Sequence, residues 1–101
     1  MNLDPLSMTD TAILQEIGKR IEHLRLNRNL RQADLCEATG LSIDTIRALE
    51  KGKGKLDTIV AVLRNLQALD QLDSFIPPQT IDPIALAEMQ GKMRQRARRR
   101  R

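Results

Sequence analysis

Residues 32–51 read QADLCEATGLSIDTIRALEK, and the glycine inside them decides how the chain folds. Residues 32–38 carry good helix formers around Leu35 and predict a helix of two turns. Gly40 then stands where the chain must reverse. The left-handed backbone of such a turn costs a residue with a Cβ about 1–2 kcal/mol, which glycine avoids. Ser42 offers a side-chain oxygen to cap a following helix over about 43–51, with Asp44 and Thr45 in its first turn. Leu35, Ile46 and Leu49 are spaced to bury between the two helices. Cys36 falls where the helices approach, is small, and is expected to be buried. Leu41 can plug the joint. Ile43, Asp44, Thr45, Arg47, Ala48 and Lys51 are left on the outer face of the second helix.

Outward from this stretch the pattern stays helical. Thr9 and Asp10 are good caps, and Ile13, Ile17, Ile21 and Leu24 recur on one face of a helix expected at about 10–27. Asn27, Arg28 and Asn29 end it, leaving residues 1–9 as a loose arm. Gly52 and Gly54, set among Lys51, Lys53 and Lys55, read as a flexible basic loop. A helix over about 57–67 has an inner stripe of Leu56, Ile59, Val60, Leu63 and Leu66. Val62, Leu69, Leu72 and Phe75 do not all fit that stripe. With Leu66 they read as a dimer or partner surface that continues into a segment at 70–75, and core packing is the other reading. Pro77 and Pro78 end that segment because neither has an N–H to continue a helix. Asp82 and Pro83 make an N-cap followed by proline at the first helical position, so 83–91 is expected to hold a turn or two of helix. The expectation is an all-α fold: a compact four- to five-helix domain over 10–76, a proline-bounded segment at 77–91 and a disordered basic tail at 92–101.

Composition narrows the function. The chain has 101 residues, enough for one core and too few for two. Phe75 is its one aromatic residue, so stacking nucleobases on exposed rings is poorly served. One cysteine excludes an internal disulfide and any multi-cysteine metal site. The acidic start MNLDPLSMTD does not read as a signal peptide, and no apolar run is long enough to span a membrane, so the expected location is cytoplasmic. The net charge is +4, but residues 92–101 alone carry seven positive charges and no negative one. The high pI therefore belongs to the tail. Even so, residues 19–64 hold ten basic groups against six acidic ones. His23 stands alone on a helix, no Ser/His/Asp arrangement is visible, and Gly52–Gly54 lack the strand and spacing of a phosphate loop. No enzyme and no cofactor is expected.

Two short helices joined through a glycine turn are a helix-turn-helix layout. Residues 13–67 resemble the helix-turn-helix regulators of the Cro and C1-repressor type. The marks are RLNRNLRQADL at 25–35, the small Cys36, Gly40-Leu41-Ser42, Thr45-Ile46 and Leu49-Glu50-Lys51-Gly52. The resemblance implies that Gln32 touches backbone phosphate and braces the recognition helix, and that Ile43, Asp44, Thr45, Arg47 and Ala48 face base edges. Arg47 has the chemistry to donate two bonds to guanine, Asp44 to accept from cytosine's amino group, and Ile43 to pack on a thymine methyl. Arg28, Arg31, Ser42, Lys51, Lys53 and Lys55 are expected at phosphates, which position without specifying. Arg31 departs from the family, which places Ser or Thr there as a helix cap.

A weaker resemblance follows. LRNLQALDQLDSFIPP and DPIALAEMQGKMRQRAR are similar to the C-terminal part of HipB-like antitoxins, which implies a HipA-like serine/threonine kinase toxin as partner. The expectation is a dimeric, autoregulatory repressor bound to double-stranded DNA operators with inverted half-sites, associated with the nucleoid. The alternative is a small helical adaptor that uses the same layout only for protein contact. The arginine tail can track phosphates, dock on an acidic partner or be a plain charged terminus.

Overall fold

The computed structural model describes residues 3–4 and 6–99, with side chains described up to Arg94. Six helices follow in order: α1 Asp10–Asn27, α2 Gln32–Thr39, α3 Ile43–Glu50, α4 Leu56–Asn65, α5 Asp70–Phe75 and α6 Pro83–Arg99. Among the described residues there is no strand. Caps explain most of the starts. The Thr9 and Ser42 hydroxyls accept from the Ala12 and Thr45 backbone N–H groups, each satisfying an orphan donor of the first turn. Asp82 accepts from the Ile84 N–H at 3.0 Å, with Pro83 at the first helical position. Arg31 has no acceptor with which to cap α2. Asp34 reaches back instead and accepts from the Arg31 N–H at 2.7 Å, which is half of a capping box.

The helix ends share one device. After α1 the Leu30 N–H bonds to the Arg25 carbonyl and the Asn29 N–H to Leu26. After α3 the Lys53 N–H bonds to Ala48 and the Gly52 N–H to Leu49. After α4 the Ala68 N–H bonds to Leu63 and the Gln67 N–H to Arg64. Each is a Schellman closure with a left-handed residue: Asn29, Gly52 and Gln67 at φ 57°, 93° and 55°. Gly40 closes α2 in the same region, at φ 77°.

The core is Ile21, Leu35, Ile46, Leu49, Val62, Leu63, Leu66 and Ala68, with Ile17, Leu24, Leu30, Leu41, Ile59 and Leu72 packed around it. Several expectations change here. Val62 and Leu66 are 0% exposed, so they have no side-chain surface to offer a partner. They face inward because α4 packs on both α2 and α3, which widens its buried face beyond a single stripe. Leu56 is 69% exposed. It opens α4 on the rim of an apolar groove that Leu3 of the N-terminal segment also borders. Cys36 is half-buried rather than buried, packed against the edge of the core.

The Gly52 loop is not slack. A Cβ on Gly18 would stand 2.6 Å from the Gly52 nitrogen, and one on Gly52 would stand 2.7 Å from the Leu14 carbonyl. The backbones of α1 and the α3 exit therefore touch, and two glycines let them.

The segment from Pro83 also differs from expectation. It forms one helix through Arg99, not a turn or two followed by disorder. Apart from Pro83 at its start, Ile84 and Gly91, it is made of Ala, Leu, Met, Glu, Gln, Lys and Arg, all strong helix formers. Every described side chain from Pro83 to Arg94 is exposed. The radius of gyration is 19.2 Å, against ~13 Å for a compact chain of this length. The sixth helix therefore stands away from the five-helix body. The expectations for Met1, Asn2, Pro5, Arg100 and Arg101 fall outside the described residues.

Candidate nucleic-acid interface

The second helix of the motif, α3, is fixed from below by one carboxylate. Glu50 is buried and accepts from the Arg25 Nε at 2.7 Å, from an Arg25 terminal nitrogen at 3.1 Å and from the Gln32 Nε2 at 2.9 Å. The other terminal nitrogen of Arg25 donates to the Leu30 carbonyl at 2.8 Å. The bidentate bond to Glu50 outweighs the burial of the guanidinium and pushes the Arg25 pKa up, so the guanidinium stays charged. One network thus joins the end of α1, the start of α2 and the end of α3. No described buried side-chain nitrogen or oxygen lacks a hydrogen-bond partner.

Ile46, Leu49 and Glu50 take the inner side of α3, and the opposite side is open. Asp44 and Arg47 are exposed there, while Ile43, Thr45 and Ala48 are half-buried. Among the described residues the side chains of Asp44 and Arg47 make no hydrogen bond or ion pair. Asp44, Thr45 and Ala48 line a shallow groove with Lys53 and Lys55. Lys53 also borders a second hollow toward α1, with Gln15, Lys19 and Lys51. Three lysines therefore flank the exposed face of α3.

The remaining candidates are placed as follows. Gln32 is half-buried, with its amide nitrogen donating to Glu50 at the end of α3. Ser42 is engaged locally, with Oγ accepting from the Thr45 N–H at 3.1 Å and lying 2.8 Å from the Thr45 Oγ1. Arg31 is exposed and paired with Asp34 at 3.2 Å. Arg28 is exposed at the end of α1. Leu69, Leu72 and Phe75 lie away from α3, and Leu72 and Phe75 border an apolar groove between α1, α4 and α5.

Residue-by-residue reading of the sequence passed over the Arg25–Glu50 pair. The signal was present. Arg25 follows Ile21 by four, and Glu50 follows Ile46 by four. Each charge sits where an apolar stripe should continue, and two opposite charges at such positions point to a buried pair.

A glycine-jointed helix pair with an open, lysine-flanked second helix defines a helix-turn-helix protein of the DNA-binding type. The chain belongs to the family described as "Helix-turn-helix domain", which matches residues 16–74 and so spans α1 to α5. No curated protein matches the chain significantly in sequence. A helix-turn-helix domain is a DNA-binding type of module, and transcription regulation is the role that this architecture serves. Among the described residues, no cluster of His, Cys, Asp or Glu is placed to hold a metal, and no helix is long and apolar enough to cross a membrane.

Proposed function

We propose that the chain is a dimeric, sequence-specific repressor of the Cro and C1 type that reads double-stranded DNA operators with inverted half-sites. The observation that carries this is the open face of α3, where Asp44 and Arg47 have no partner among the described residues, on a helix anchored through Glu50. Ile43, Asp44, Thr45, Arg47 and Ala48 face the bases. Lys51, Lys53 and Lys55 hold phosphates around them, and Arg28, Arg31, Ser42 and Gln32 anchor the other side. Two copies related by a two-fold axis address two half-sites one helical turn apart.

The exposed α6 and the apolar groove favour a second role, because both offer contact area that DNA does not need. In that reading the repressor is a HipB-like antitoxin that regulates its own operon in the nucleoid and holds a HipA-like kinase toxin inactive.

Capture of sheared source DNA at about 150 mM salt, followed by sequencing, tests the first role. A few sites with inverted half-sites, one beside the protein's own gene, are expected. Uniform recovery that fades with salt contradicts base reading and favours a helical adaptor. Co-expression with the neighbouring gene product tests the second role, and absence of a complex contradicts it.

A further inference from the structure

We infer that α6 is an exchanged arm: in a pair of identical chains, the α6 helix of each seats in the apolar groove of the other. This deepens the dimeric reading above by naming its two surfaces. The groove lies between α1, α4 and α5, is walled by Leu24, Leu56, Leu63, Leu72 and Phe75, and has Leu3 of the N-terminal segment at its edge. Phe75, the one aromatic ring of the chain, is 61% exposed on it. On α6, Leu86, Met89 and Met93 follow at spacings of three and four, which puts them on one stripe. All three are exposed.

The connection argues for a second copy over a return to the same chain. Ile76 is extended, and Pro77-Pro78 follow it. Consecutive prolines hold an extended spacer of about 3.1 Å per residue and resist the tight reversal that a return requires. Exchange between copies is also closed, because two arms fill two grooves.

The test uses the full chain with Cys36→Ala as background. One sample carries Phe75→Cys, the other Met89→Cys, and the two are mixed under mild oxidation. Crosslinked heterodimer in the mixture is expected, in clear excess over either sample alone. Separately, Met89→Asp with Met93→Asp is expected to weaken self-association at least tenfold by sedimentation. Both side chains are exposed, so loss of helical content is not expected, and circular dichroism checks it. Three results overturn the proposal. One is a wild type that is monomeric at every concentration, which also removes the dimeric reading. The second is a dimer whose stability the double variant leaves unchanged, which leaves that reading intact. The third is a crosslink formed chiefly by Met89→Cys with itself, which places the two α6 helices against each other.

Discussion

Glu50 accepts hydrogen bonds from Arg25 and Gln32, so removing its carboxylate leaves a buried guanidinium without its counter-charge. Breaking a buried pair from one side costs about 3–5 kcal/mol, while replacing both partners with apolar residues is often close to neutral. Glu50→Ala is therefore expected to lose that much in urea denaturation, and Arg25→Met with Glu50→Leu to recover most of it. Equal losses for the two variants contradict the charge argument. At the surface, Arg31 holds Asp34 below the usual carboxylate range, first through its side chain and then through its backbone N–H. A depressed folded pKa gives stability that is present above the unfolded value of about 3.9 and is lost as pH falls through the folded one. Asp34→Asn is therefore expected to flatten the acid limb of the stability–pH curve below about pH 4 and to leave its shape near neutrality unchanged. Under the proposed function, Arg47 and Lys53 separate two kinds of DNA contact. Arg47→Ala is expected to relax preference at one base position by about 1–3 kcal/mol. Lys53→Ala is expected to weaken binding to all sequences alike and to lower the salt slope by about 1. Single residues were legible where their chemistry is local. Ser42 as a cap and Gly40 as a turn need only their neighbours. The half-burial of Cys36 and the full burial of Val62 depend on which helix lies opposite, and no spacing encodes that.

Between elements, the contact of α1 with the α3 exit rests on Gly18 and Gly52. Alanine in place of a helical glycine gains up to ~1 kcal/mol of propensity. At Gly18, however, the new Cβ would stand 2.6–2.8 Å from backbone atoms of Glu50 and Gly52, and backbone cannot swing away. Overpacking of this kind costs about 1–3 kcal/mol, so the clash wins. Gly18→Ala is expected to lower the Tm and to loosen α3, read as faster amide exchange in Ile43–Glu50; a raised Tm contradicts the close contact. The α4 closure gives the opposite sign. Gln67 holds φ 55° with an exposed side chain, a conformation that costs a residue with a Cβ about 1–2 kcal/mol. Glycine removes that strain and returns roughly half of it as unfolded-chain entropy. Gln67→Gly is expected to stabilise by up to about 1 kcal/mol, a Tm gain of several degrees for a domain of this size, measured by calorimetry. The bounds of α1, α2 and α5 were legible to within a residue because polar breaks and caps flank them. The end of α4 came earlier than the apolar pattern suggests, because Gln67 turns left-handed there although it is not a residue that usually does so.

The whole molecule is a five-helix body that matches the helix-turn-helix domain, plus a sixth helix held out from it. The body was legible because its apolar periods, caps and glycine turn agree with one another. The continuity of α6 was not, since repulsion among arginines argues for disorder while their helix propensity argues the other way. The proposed base-facing residues rest on family resemblance, and the body offers physical support for that proposal: an α3 anchored through Glu50, an open outer face and lysines on its flank. The central claim is that this face reads sequence. The most direct test is selection from random DNA duplexes at about 150 mM salt, run in parallel with the full chain and with Arg47→Ala. The account predicts inverted half-sites for the wild type, and for the variant the same half-sites with preference lost at one symmetric position. No enriched motif, or an identical motif from both proteins, would contradict it.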